Sequence, residues 1–406
     1  MKTLIREPQA LPQTEAQARR TLLLLHASAD LYGSDRTLLQ LCQGLADEFH
    51  CVVALPRRGP LVEALEAAGV TVETGELGVG GRRDASFFGL LKHALKIPRA
   101  VRFVRRLAKK YKPELCHTNT LVVVGGALGA KTLGIPHVLH VHEIVADSPR
   151  VARMLARIAG FTASRIVCNS SATAEALCSA KSSLRSKLQV VHNGSEPLSC
   201  SEPQAAALRE EAGLPAYAPV VALVGRINSW KGHALLVEAA MLLQGRFPHA
   251  RFLFVGDAPA GQEKFEVELR KLIEQAGLQK MFHHLPFRSD IAPAFAAADI
   301  VCVPSTRPEP FGLVALEAMS LSRSVIAADH GGLAEIVRDG VSGALVEPNN
   351  PRVLAEALAA RLANPALTRA EGRMGRAIAE EHFALSVYVN RFRELYRSDC
   401  AQGAAQ

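Results

Sequence analysis

The 406-residue chain is 49% hydrophobic but only 5% aromatic, and it carries a formal net charge of +8. That length exceeds a single core and suits two domains of roughly 200 residues each. An aliphatic, aromatic-poor composition argues against an aromatic-rich sandwich or barrel and for α/β layers, and no apolar run is long enough to span a membrane, since the longest, 121–139, is interrupted by Gly125, Gly126, Lys131, Gly134 and Pro136.

From the N-terminus, residues 1–20 read as a polar extension with Arg6, Arg19 and Arg20 and no apolar export core. Short apolar runs then alternate with amphipathic stretches, the pattern of parallel strands joined by helices. Strands are expected at 22–25, 52–55, 70–73, 115–117, 137–141, 166–168 and 188–191 in the first half. In the second half they are expected at 220–224, 252–255, 282–284, 300–303, 324–327 and 343–346. Leu38, Leu41 and Leu45, with Leu39 and Phe49, form an apolar stripe at helical spacing. The boundary falls in 193–219, which is punctuated by Asn-Gly, Ser-Glu-Pro and Leu-Pro before a clean strand restarts. The expected division is a Rossmann-like domain over 21–197, a second over 198–385, and a C-terminal helix and tail over 386–406 packing back towards the first. Chemistry should sit at the carboxyl ends of the strands.

Charge and cysteine narrow the setting. Between Arg82 and Lys112 there are eleven Lys/Arg against one acid, Asp84, so the rest of the chain is about −2 and one segment supplies the whole basic character. This stretch is amphipathic around Pro98, which suits an anionic membrane surface. It includes Phe87, Phe88, Phe103 and Tyr111 but no recognisable nucleic-acid module, so no nucleic-acid partner is expected. Eight cysteines without a Cys-x-x-Cys pair read as reduced core thiols of a cytoplasmic protein.

Three motifs carry chemistry. Tyr32-Gly33-Ser34-Asp35 follows the first strand, where a glycine lets amides approach a phosphate; the plainer reading is a turn capped by Ser34 or Asp35. No Gly-x-Gly-x-x-Gly is present there, which argues against a dinucleotide dehydrogenase. Gly225-Arg226, with Lys231-Gly232 five residues later, places two cations between a strand and a helix, suited to a pyrophosphate whose charge grows as it leaves. Glu309-Pro310-Phe311-Gly312-Leu313, followed by Glu317, puts amides at a helix start and two carboxylates suited to paired hydroxyls. The plainer reading of those acids is one at a helix N-terminus and one on the surface.

Glu309 and Glu317 resemble the Glu-x7-Glu motif of the family 4 retaining glycosyltransferases, which have the GT-B fold. Gly225-Arg226 with Lys231-Gly232 resembles the family's diphosphate-binding pair. Val255-Gly256-Asp257, Ala298-Asp299-Ile300 with Pro304-Ser305, Gly331-Gly332-Leu333-Ala334-Glu335 and Gly340-Val341-Ser342-Gly343 resemble its neighbouring segments in order and spacing. The likeness is dense over 165–385 and thinner before. It implies two facing Rossmann-like domains and transfer of a hexose from a UDP- or GDP-sugar with retention and no obligatory metal or cofactor. Arg226 and Lys231 would neutralise the leaving diphosphate, Glu309 would hold sugar hydroxyls, and Glu317 the ribose. Phe311, Gly312 and Leu313 would offer amides; Gly33 would approach the distal phosphate, Gly225 and Gly256 would close the donor site, and Arg288 would meet the base. His142 matches the histidine beside the transferring sugar. His140 points the same way in a regular strand, but His142 ends the strand and is preferred. Glu143 is an alternative polar group, and His192 reads as structural. Asn169-Ser170 and Asn193-Gly194 would edge the cleft. The acceptor would be a glycan or lipid-linked molecule at the inner face of a membrane. A nucleotide-sugar epimerase or a non-catalytic nucleotide-sugar-binding protein is the alternative, and no segment fits the lysine site a phosphorylase needs.

Overall fold

The computed structural model describes residues 19–80, 87–145 and 148–404. In the first half, strands β1 (Arg20–His26), β2 (Phe49–Leu55), β3 (Thr71–Thr74), β4 (Leu115–Asn119), β5 (His137–Val141), β6 (Arg165–Cys168) and β7 (Leu188–Val190) form one parallel sheet in the order β3-β2-β1-β4-β5-β6-β7. Leu22, Leu23, Leu24 and Leu25 are all fully buried, as a strand covered by helices on both faces requires. The helices are α1 (Gly33–Gly44), α2 (Pro60–Ala67), α3 (Phe87–Tyr111), α4 (Val124–Lys131), α5 (Pro149–Thr162) and α6 (Ser171–Ala180).

Helix α7 (Glu202–Glu211) follows inside the expected boundary segment. Its Leu208 packs into the core of the second sheet, so the second domain begins before its first strand. That sheet comprises β8 (Val220–Val224), β9 (Arg251–Val255), β10 (Phe282–Leu285), β11 (Ile300–Val303), β12 (Ser324–Ala328) and β13 (Gly343–Val346), parallel in the order β10-β9-β8-β11-β12-β13. Its helices are α8 (His233–Leu243), α9 (Lys264–Gln275), α10 (Ala292–Ala296), α11 (Leu313–Ser320), α12 (Leu333–Ile336), α13 (Pro351–Leu362) and α14 (Pro365–His382).

The chain then returns. Helix α15 (Leu385–Ala404) buries Tyr388, Val389, Phe392, Leu395 and Tyr396 in the core shared with β1, β2 and α1 of the first domain. It is longer than the apolar stripe over 386–397 indicates, because its last turns carry small and polar residues and are fastened by Asp399, whose Oδ1 lies 2.6 Å from Arg165 Nη2.

Strand order reverses between β1 and β4 in the first sheet and between β8 and β11 in the second. Loops leaving adjacent strands in opposite directions open a crevice at each such point. Both crevices carry the motif residues.

Candidate functional site

In the second domain, β8 ends at Val224, Gly225 follows it, and α8 opens at His233 behind its cap Gly232. Asn228 shapes the intervening loop by accepting from the amides of Trp230 and Lys231, both at 3.0 Å. Gly232 has φ +84°, and a Cβ there would stand 2.1 Å from the Pro304 carbonyl oxygen, so only glycine lets this loop lie against the segment after β11. Gly256, at the end of β9, is similarly confined: its φ is +129° and a Cβ would meet the Gly225 oxygen at 2.5 Å.

This close approach brings Lys231 to the Glu309 loop. Lys231 Nζ lies 2.8 Å from Glu309 Oε1, and Ser305 Oγ donates to the same oxygen. Both charged side chains are largely buried, at 14% and 6% exposure. A pair so desolvated is held by its mutual attraction, and a polar ligand that enters must exchange with one member. The Glu309 carbonyl accepts from the Gly332 amide at 2.8 Å, which ties the glycine pair 331–332 to the motif. Phe311 is buried and packs its ring towards His192 and Phe383, so its side chain is core and its amide, with those of Gly312 and Leu313, lies at the start of α11.

The two domains meet over this site. Gly33 faces Leu313 so closely that a Cβ would stand 3.1 Å from Leu313 Cδ1. The Arg226 guanidinium lies over the Tyr32 ring, 5.0 Å from its centroid. Arg36 Nη1 reaches Glu317 Oε1 at 3.0 Å. Burial pushes the Glu317 carboxyl above its ordinary range, opposed by the charge and hydrogen bond of Arg36. Asp35 is not the helix cap: Tyr32 occupies that position, and Asp35 accepts from the Tyr32 amide at 2.9 Å.

His142 stands just past β5, half-buried, with His140 beside it at a ring-centroid distance of 3.9 Å. His140 is fully buried against Phe392 of α15 and faces the core. Burial, with His26 and His117 nearby, lowers the His142 pKa to about 3. Glu143 folds inward and accepts from the amides of Leu121 and His142 at 3.2 and 3.1 Å, which occupies the carboxylate offered as an alternative polar group. The structure also places the two remaining residues. His192, read as structural, ties the domains together: its Nε2 lies 2.8 Å from Glu335 Oε2 across the domain boundary. Arg288 is engaged by Glu211 at the end of α7.

Sequence reasoning missed Tyr32 as a platform, Arg36 and the buried partner Asn119. Each acts through a residue distant in sequence, so no local spacing signals it. Ser305, four residues before Glu309, and Glu335 belonged to quoted segments without a role, and His26, nine residues before Asp35, was given none.

Two doubly wound sheets with opposed switch-point crevices, cations and acids on one side and a glycine loop on the other, define the GT-B architecture. The Anabaena protein HepE, solved in complex with UDP-glucose, superposes with a TM-score of 0.81 at 28% identity, covering 93% of this chain and 99% of that one. Sucrose-phosphate synthase from Thermosynechococcus elongatus shares the fold, with a TM-score of 0.73 over 95% of this chain and all of that one (100%), at 23% identity.

Residues 32–197 match Glycosyltransferase Family 4, and residues 204–378 match Glycosyl transferases group 1. D-inositol 3-phosphate glycosyltransferase 1 of Catenulispora acidiphila is 33% identical over 294 residues, 67% of this chain and 69% of the relative. The chain belongs to the family 4, group 1 glycosyltransferases. The D-inositol 3-phosphate glycosyltransferase of Corynebacterium glutamicum is 39% identical over a shorter stretch, 38% of this chain and 37% of the relative. The chain thus spans about two fifths of the length of several curated relatives it matches.

Proposed function

We propose that this protein is a retaining glycosyltransferase that moves a hexose from a UDP-sugar to an acceptor hydroxyl without an obligatory metal or cofactor. The observation that carries the reading is the buried Lys231–Glu309 pair at the second-sheet switch point, facing the Gly33 loop across the cleft. A sugar diphosphate matches that polarity. Its phosphates draw Lys231 and Arg226, and Glu309, released from Lys231, accepts from sugar hydroxyls. The likeness to HepE, whose solved complex holds UDP-glucose, favours UDP over GDP.

In the reaction the acceptor oxygen bonds to the anomeric carbon as the bond from that carbon to the diphosphate oxygen breaks. The acceptor proton passes to the departing diphosphate. Arg226 and Lys231 stabilise the charge on the leaving group, and closure of the domains keeps water from the reactive sugar. Glu317 meets the ribose once Arg36 yields, and the amides of Phe311, Gly312 and Leu313 meet sugar and phosphate. With α- and β-linked standards, NMR of the product formed from an α-linked donor should show an α linkage; a β linkage would refute retention.

For the acceptor we infer a membrane-borne or lipid-linked glycan at the inner face of the membrane. Helix α3 buries Ala100, Phe103, Val104 and Leu107 and turns Arg99, Arg102, Arg105, Arg106, Lys109 and Lys110 outward. Leu95 is 69% exposed beside them. With Phe103 in the core, its ring offers no stacking platform for a nucleic acid. Arg82, Arg83 and Asp84 lie outside the described residues, as do the side chains of Phe87, Phe88 and Lys92. Among the described residues no helix is long and apolar enough to cross a membrane, so contact of this kind would be peripheral. The names of the curated relatives make a phosphorylated polyol the competing acceptor. Binding to anionic vesicles at low salt, weakened by charge reversal at Arg102 and Arg105, supports the membrane reading; indifference to vesicles together with transfer to inositol phosphate would replace it.

A further inference from the structure

A buried chain of hydrogen bonds runs from α1 to the wall of the cleft. Asp35 Oδ1 lies 2.6 Å from His26 Nε2. His26 Nδ1 lies 2.9 Å from Asn119 Nδ2, and Asn119 Oδ1 lies 2.9 Å from His142 Nε2. His26, Asp35 and Asn119 are between 0% and 2% exposed, so water does not compete for these atoms.

With a neutral ring at His26, the partners determine the direction of every bond. A carboxylate only accepts, so His26 Nε2 carries the proton and His26 Nδ1 accepts. The Asn119 amide then donates through Nδ2, and its oxygen is left to accept. His142 must therefore donate from Nε2. His140 Nδ1, 3.1 Å from the same His142 Nε2, is a second acceptor for that proton. A neutral imidazole with its proton on Nε2 has its lone pair on Nδ1. The reverse assignment turns the Asn119 amide around, makes His26 doubly protonated and puts the His142 proton on Nδ1.

We propose that Asp35, His26 and Asn119 are positioning residues that fix the tautomer of His142, so that its Nδ1 presents a lone pair to a hydroxyl of the transferring sugar. The identity of the hydroxyl's owner rests on the glycosyltransferase reading; the tautomer does not. Chemistry favours this state: a neutral acceptor orients a sugar hydroxyl, whereas an imidazolium would oppose the positive charge that develops on the sugar ring. The groups around His142 act the same way. His26 from β1, His117 from β4 and His140 from β5 all disfavour a further positive charge there, and the Glu143 carboxylate is occupied by backbone amides. Asp35 also holds the Tyr32 amide through Oδ2, so one carboxylate anchors both the glycine loop and the relay.

Long-range proton–nitrogen NMR on the full chain with nitrogen-15 histidine distinguishes a protonated ring nitrogen from a lone-pair one. The His142 signals are assigned by their loss in His142→Gln. In the wild-type protein without donor, His142 Nε2 should be protonated and Nδ1 bare throughout the neutral range. Asn119→Asp replaces the donor of the relay with a second acceptor, so His142 should gain a proton nearer neutrality. Its kcat should fall about ten- to hundredfold, by analogy with partners that orient metal-ligating histidines from behind, at an unchanged KM for the donor. A folded state matching wild type by circular dichroism accompanies that comparison. A bare Nε2 in the wild-type protein would overturn the proposal, and so would an Asn119→Asp variant that changes neither the protonation of His142 nor kcat. The expected tautomer in a protein that binds no sugar nucleotide would leave the relay standing and remove the transferase reading.

Discussion

Lys231 and Glu309 neutralise one another at the crevice of the second sheet. Truncation of Lys231 to Ala removes a cation proposed to meet the leaving diphosphate, so kcat should fall by about 10²–10³, equivalent to about 3–4 kcal/mol. Among the described residues it also leaves buried Glu309 with Ser305 as its one remaining side-chain partner, so a lower melting temperature should accompany the loss. Gly232→Ala tests the backbone instead. With φ at +84° and the Pro304 oxygen 2.1 Å from the new Cβ, it should lose about 1–3 kcal/mol or more in denaturant unfolding. At this scale the sequence is informative where chemistry is local. The glycines, the Arg226–Lys231 spacing and the Glu309–Glu317 spacing all stand in short strings. Tyr32 beneath Arg226 and Arg36 on Glu317 are joined only by folding, and neither residue type in its own neighbourhood announces the contact.

Elements hold these residues through a few buried polar fasteners. Arg361 of α13 reaches Glu371 of α14 with two bonds of 2.8 and 2.6 Å, and Ser324 at the start of β12 donates to the same carboxylate. Arg361→Ala would leave that carboxylate buried at 2% exposure without its counter-ion, so unfolding free energy should drop by about 3–5 kcal/mol. Arg361→Met should cost much the same, because the uncompensated charge remains, whereas Arg361→Met with Glu371→Leu should recover much of the loss. All thirteen expected strands form, seven in the first sheet and six in the second. Their legibility has a physical origin: a strand buried on both faces must be continuously apolar, and 22–25 and 220–224 have no other reading. Helices were less legible. Helix α7 lies within a stretch rich in turn signals, and the end of α15 owes its place to Arg165–Asp399, a pair 234 residues apart in sequence.

Across the whole molecule, Glu335 joins the domains. Its carboxylate accepts from the amides of Ser171 and Ala172 at the start of α6, at 2.8 and 2.9 Å, and from His192 Nε2 at 2.8 Å. Thr173 adds a bond to the Pro310 carbonyl at 3.2 Å. Burial alone would raise the Glu335 carboxyl, but His192 and the two amides outweigh it and hold the carboxyl below its ordinary range. A group depressed in the closed form supports closure fully above its free value and loses that support as pH falls through its depressed one. Small-angle scattering should therefore show the domains parting below the ordinary carboxylate range while circular dichroism is still native, and Glu335→Ala should part them at neutral pH. This bridge was not legible beforehand, since it joins residues 164 apart in sequence.

Recognition of a sugar diphosphate in the cleft is tested most directly by calorimetric titration of the full chain with UDP-, GDP- and ADP-sugars, with Glu309→Ala alongside. The account predicts saturable binding of a UDP-sugar with slow release of its sugar to water, and loss of that turnover in the variant. A folded protein that binds none of these donors, or one that hydrolyses them equally well without the Glu309 carboxylate, would contradict it.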